Sequence, residues 1–138
     1  GRFAFGATDI NQEIGPEANL IFVSEGVSGT TRLLARSAPG EFYAPLSMEF
    51  SPNGDMLAIG KTSVGAAREV CIIRLTTVSE ICLPALAGAY GQFATWSPAG
   101  DRIVFVTPRF TLVALDVARG IQSDLAIGMR EAFNLYWR

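Results

Sequence analysis

The 138 residues include no histidine, and the two cysteines, Cys71 and Cys82, are not spaced as a C-x-x-C pair. The missing histidine removes the commonest general base, metal ligand and pH switch together. The cysteine spacing leaves out the usual zinc and thiol-redox arrangement. No Ser-His-Asp arrangement can be built, and no two carboxylates stand at a spacing that marks a glycosidase pair. Asp9-x-Asn11-x-Glu13 imitates the opening of a calcium loop, but Ile14 and Leu20 stand where that loop needs Gly and Glu. An ordinary solvated loop is the plainer reading, so no metal and no other cofactor is expected. What remains is a set of aromatic, amide and arginine side chains in segments that read as loops: Phe42, Tyr43, Tyr90, Gln92, Arg109 and Arg130. Such residues are what binding surfaces use. The competing reading for Phe42, Tyr43 and Tyr90 is that they fill gaps in a core. On this inventory the chain is expected to bind rather than catalyse, and not to be an enzyme.

These side chains are positioned by a phrase that occurs twice. Phe50-Ser51-Pro52-Asn53-Gly54-Asp55 returns 46 residues later as Trp96-Ser97-Pro98-Ala99-Gly100-Asp101. An aromatic closes a strand, Ser-Pro opens a turn, and Gly supplies a positive φ before the next strand begins. Asp55 and Asp101, just after the glycine, are placed to bond nearby backbone N–H groups and read as structural. Apolar segments rich in Val, Ile, Phe and Thr follow each corner, while Gly or Pro interrupts nearly every window in which a helix could form. Strands are expected at 2–7, 19–23, 31–35, 46–50, 56–61, 69–75, 79–83, 93–96, 102–107, 111–116, 122–127 and 133–137. A strand-turn-strand unit recurring at about 40 to 50 residues marks a β-propeller blade. The fold class is therefore all-β, with blades of four antiparallel strands, three per chain, in repeats 1–53, 54–99 and 100–138. The strand entering each corner is the innermost of its blade, so Glu49, Thr95 and Tyr136 form one ring of equivalent positions and Ser47, Phe93 and Asn134 another, one of which faces the axial channel. Phe50, Trp96 and Trp137 recur at a third position and read as core between blades.

Hydrophobic residues make up 49% of the chain and charged ones 17%, with a formal net charge of −2 and no basic run, which argues against a nucleic-acid partner. No stretch of about 20 apolar residues is present to insert in a bilayer as a helix. The chain starts at Gly1, so a leader or a longer parent could have preceded it. If Thr76-Thr77 lies at a hairpin turn, Cys71 and Cys82 face each other across adjacent strands. A cross-strand disulfide and two buried thiols are the two readings left open.

The phrase W-S-P-x-G-D, the I-V-F-V strand after it and the D-x-x-x-G turn at Asp116 to Gly120 resemble the repeat of TolB-like, WD-type β-propellers across nearly the whole chain. The resemblance implies a six-bladed ring and suggests a periplasmic or extracellular setting. Three blades leave two apolar flanks bare. A homodimer closing the ring, with 133–137 pairing to 2–7 of the other copy, is therefore preferred over a piece of a longer chain. The expected function is a non-catalytic scaffold that binds a protein, peptide or other ligand at the loop face or channel mouth. The alternatives are the propeller portion of a larger hydrolase or peptidase and a carbohydrate-binding module using Tyr43 and Tyr90.

Overall fold

The computed structural model describes residues 1–8, 18–26, 29–65, 68–85 and 94–126, and of residues 45–47 and 126 the backbone alone. Within these residues the chain forms eleven strands and no helix. The first sheet holds β1 (Arg2–Ala7), β2 (Leu20–Glu25) and β3 (Thr31–Arg36). The second runs β4 (Glu41–Phe50), β5 (Met56–Ser63), β6 (Glu69–Arg74) and β7 (Ser79–Pro84). The third runs β8 (Ala94–Trp96), β9 (Arg102–Val106), β10 (Leu112–Asp116) and β11 (Ile121–Ala126). Every neighbouring pair is antiparallel, in the simple up-and-down order of a blade.

The sheets are cut one strand out of phase with the repeats at 1–53, 54–99 and 100–138. The strand that enters a corner pairs with the strand that leaves it, Phe50 with Leu57 and Trp96 with Ile103, and both belong to one sheet. The recurring serine locks each corner. Ser51 takes the Met56 N–H on its hydroxyl at 3.0 Å, and Ser97 takes the Arg102 N–H at 3.1 Å. Gly54 and Gly100 donate to the Ser51 and Ser97 carbonyls at 2.8 Å, at φ values of 74° and 73° that a side chain disfavours. Asp101 accepts the Ser97 hydroxyl at 2.7 Å, the structural role its position implies.

Strand alternation gives each sheet two faces, and the core consists of two layers between them. Ile21, Val23 and Leu34 of the first sheet meet Leu57, Ile59 and Ile73 of the second. Ala58, Val70 and Ile72 on the other face of the second sheet meet Trp96, Ile103 and Phe105 of the third. Trp96 thus sits between sheets, as its recurrence implied, and its indole N–H donates to the Glu49 carbonyl at 3.1 Å. Phe50 packs against the first layer, and Trp137 lies outside the described residues.

The β6–β7 turn shows how the second repeat manages without the D-x-x-x-G signature. Gly120 donates to the Asp116 carbonyl at 2.8 Å with φ 67°, and Val78 makes the same bond to Arg74 at 2.8 Å with φ 54°. A β-branched residue there carries a steric cost of about 1–2 kcal/mol. Val78→Gly is therefore expected to stabilise the fold by about 1 kcal/mol, after the extra chain entropy of glycine is subtracted. An unchanged or lower urea midpoint would show that the turn is not strained.

Candidate functional site

The β3–β4 loop, the first residues of β6 and the β9–β10 loop lie at the ends of their sheets away from the Ser-Pro corners. At that end the second and third sheets part, leaving a cleft of about 380 Å³. One wall is Leu83 and Pro84 at the end of β7, and the other is Gln122 and Asp124 on β11. The floor and rim come from the tight 107–111 loop, where Phe110 donates to the Thr107 carbonyl and Thr107 to the Thr111 carbonyl, both at 2.9 Å. This closure leaves Arg109 exposed at the rim and without an ion pair among the described residues. The cleft thus offers one cation, Arg109, one carboxylate, Asp124, hydroxyl and amide groups, and the flat faces of Pro84 and Pro108. Such a mixture suits a polar ligand, with an anionic group at the Arg109 end and hydroxyls toward Asp124 and Gln122.

The other sequence-predicted residues scatter. Phe42 is half-buried on β4, paired with Thr62, on the face turned toward the third sheet. Glu49, near the corner end of the inner strand, leaves one carboxylate oxygen without a hydrogen-bond partner. Burial raises its pKa, against a hydrogen bond from the Trp96 backbone. Thr95, its repeat equivalent, is buried. Tyr90, Gln92, Arg130 and Tyr136 lie outside the described residues, as do Asp9, Asn11, Glu13, Phe93 and Asn134.

Tyr43 is a correction. It was expected in a loop over 37–45, but β4 starts at Glu41 and runs through it, and the register with β5 shifts between Ala44 and Glu49, the stretch that holds Pro45. Tyr43 also exchanges backbone hydrogen bonds with Ala18 at 3.0 and 2.6 Å, which draws it between the first two sheets. Its side chain is 0% exposed, so it cannot stack on a sugar at the surface, and the gap-filling alternative describes its place.

The burial of Tyr43 exposes a group that sequence reading missed. Its hydroxyl donates to Glu80 at 2.9 Å, and the Lys61 ammonium lies 2.9 Å from Glu41, 3.5 Å from Glu80 and 5.6 Å from the Tyr43 ring centre. Burial pulls the Lys61 pKa down, but the hydrogen bond to Glu41 and the charge of Glu80 outweigh it and leave it raised. The same hydrogen bond lowers Glu41. Burial, with the nearby Glu80 charge, pushes the Tyr43 phenol up. A lysine held protonated and a phenol held neutral are poor bases, so this cluster ties β4, β5 and β7 of the second sheet together rather than moving protons. The signal was present: a lysine closing the apolar run 56–61.

Cys71 and Cys82 are paired in the β6–β7 ladder and bonded as a disulfide, which settles the two open readings. Glu69 lies beside them, and these three form the described grouping with the right atoms for a metal. With both sulfurs bonded to each other, one carboxylate remains, which is not a metal site.

The architecture is that of a β-propeller. No protein-family model matches the chain, and no curated protein matches it. Among solved structures it is similar to an oligogalacturonate lyase in complex with manganese, at 15% identity and a TM-score of 0.62 over 91% of this chain and 33% of that one. It is also similar to an oligogalacturonate lyase from Vibrio parahaemolyticus, at 13% identity and a TM-score of 0.55 over 83% of this chain and 31% of the other. The chain spans about a third of the length of these structures. They correct the expectation that the chain is not an enzyme, since the propellers it matches are enzymes. The missing histidine weighed too heavily, because it was read from a span about a third as long as the matched structures. The described residues do not form a manganese site, which calls for several oxygen or imidazole donors where this chain groups one carboxylate with a disulfide.

Proposed function

We propose that the chain is the ligand-binding portion of a propeller enzyme of the TolB-like type, and that its loop-face cleft takes an acidic oligosaccharide of the uronate class. The observation that carries this reading is Arg109, an exposed guanidinium with no ion pair among the described residues, at a cleft whose lining also holds Thr107, Thr111, Gln122, two prolines and the Asp124 carboxylate. Guanidinium recognises a carboxylate in a planar, two-point fashion, and threonine and glutamine suit sugar hydroxyls. The likeness to oligogalacturonate lyases supports the choice of sugar. In an elimination next to a uronate carboxylate, the proton α to that group leaves, the C–O bond beyond it breaks and a C=C bond forms. A cation on the carboxylate stabilises the charge that develops there. Arg109 would play that part, with the remaining steps assigned to the complete ring.

Calorimetric titration of the chain with a short oligogalacturonate and with its methyl ester tests the reading. The acid is expected to bind and the ester to bind at least tenfold more weakly. Arg109→Ala is expected to lose about tenfold in affinity for the acid, roughly the 1.4 kcal/mol of one charge-assisted contact, with Arg109→Lys between. Equal binding of acid and ester, or an Arg109→Ala variant that binds like wild type, would overturn it.

A further inference from the structure

The cleft is lined by two opposite charges that do not meet. Gln122 and Asp124 lie opposite Leu115 and Val113 in the β10–β11 ladder, so strand alternation turns them toward the second sheet, the side on which Val113 and Leu115 are buried. Both line the cleft, and Arg109 joins them from the 107–111 loop. Exposed charges elsewhere in the chain pair up, Arg2 with Glu25 and Arg119 with Asp116, whereas Arg109 and Asp124 form no ion pair with each other.

The second sheet shows what the same two positions do when they serve the fold. Counted through the ladders from Met56 and Arg102, each the residue after a corner aspartate, Gln122 matches Glu80 and Asp124 matches Cys82. Glu80 accepts the Tyr43 hydroxyl and faces the Lys61 ammonium, and Cys82 is bonded to Cys71. Gln122 and Asp124 are exposed and have no side-chain partner among the described residues. One blade uses these positions to hold itself together, and the next leaves an amide and a carboxylate open on a cleft wall.

We propose that Asp124 determines which acidic saccharide the cleft accepts: a uronate whose carboxylate meets Arg109, joined to a neutral or esterified sugar whose hydroxyls meet Asp124 and Gln122. This selectivity rests on the uronate reading of the cleft. An ionised carboxylate only accepts hydrogen bonds, so a pair of sugar hydroxyls satisfies Asp124, whereas a second uronate carboxylate is repelled by it. At about 380 Å³ the cleft lies near the lower end of ligand sites, which run from about 300 to 1,000 Å³, so a ligand that reaches Arg109 also comes close to Asp124. A run of free uronates is therefore the poorer ligand, and an acidic residue beside an uncharged one the better.

Calorimetric titration with digalacturonate and with each of its two mono-methyl esters tests this selectivity. The mono-ester that keeps its carboxylate for Arg109 is expected to bind the wild type about threefold more tightly than the diacid, the size of one screened charge–charge contact at a surface. Asp124→Asn is expected to reverse that order. The diacid gains about threefold as the repulsion goes, and the mono-ester weakens as a charge-assisted hydrogen bond becomes a neutral one. A side chain that only shaped the cleft would move both ligands in the same direction. A wild type that prefers the diacid to both mono-esters, or an Asp124→Asn variant that shifts the two ligands together or not at all, overturns the proposal. Arg109→Ala tells this failure from that of the cleft reading: if it weakens the diacid while Asp124→Asn changes nothing, Asp124 alone is wrong, and if it changes nothing either, both are.

Discussion

Replacing Lys61 by methionine is expected to destabilise the chain by about 3 kcal/mol, read as a lower urea midpoint at unchanged slope. Methionine keeps the volume, so the loss is electrostatic. Lys61 is 8% exposed and holds Glu41 and Glu80 together, so its removal leaves two carboxylates facing each other in a partly closed space. Breaking a buried pair from one side costs about 3–5 kcal/mol, and the lower end applies because both carboxylates keep some contact with water. The pH dependence separates this from simple repacking. Glu41 has a folded pKa below its ordinary 4.5, so its contribution is full above that value and is lost as pH falls through the lower folded one. Lys61 has a folded pKa above 10.5, so its contribution is full below 10.5 and is lost as pH rises through the raised value. The gap between wild type and Lys61→Met should therefore be widest near neutrality and narrow toward both extremes. A gap that stays constant from about pH 3 to about pH 8 would show that the cluster contributes through packing alone.

The same cluster shows what was legible in the sequence and what was not. The corners could be read because Ser, Pro, Gly and Asp act on backbone within a few residues of themselves, and the structure adds only that the serine hydroxyl is the lock. The sheets followed, since strands joined by such corners pair with their sequence neighbours. The cluster could not be read the same way. Glu41, Lys61 and Glu80 lie on three strands about 20 residues apart, and nothing local to any of them says that all three turn toward the first sheet. Tyr43 was misplaced because 37–45 was read as one loop, whereas β4 starts at Glu41 and a register shift lets it continue past Pro45. The exposed loop position of Arg109 was legible, since a loop as short as 107–111 closes on its own backbone and leaves the guanidinium no strand to pack in. The judgement about catalysis failed differently: it drew a whole-ring conclusion from residue types in a span about a third as long as the matched structures.

Removing the Cys71–Cys82 disulfide by changing both residues to alanine is expected to cost about 2 kcal/mol. A bridge across a sequence separation of 11 constrains the unfolded chain by about 3 kcal/mol on loop-closure grounds. Part of that overlaps with the β6–β7 hairpin, whose turn already brings the two strands together. Against this, Cys71 is fully buried in the layer between the first two sheets, so losing its sulfur also leaves space there. The two effects can be separated. Reducing the wild type with dithiothreitol keeps both sulfur atoms and removes only the constraint, so it should lower the thermal midpoint by less than the double alanine variant does. Under oxidising conditions the single variants Cys71→Ala and Cys82→Ala should differ, with Cys71→Ala the less stable because its side chain is the deeper one. If reduction leaves the midpoint unchanged, the bridge does not hold these strands, and the β6–β7 ladder is secured by its hydrogen bonds and the packing of Ile59 and Ile73 around it.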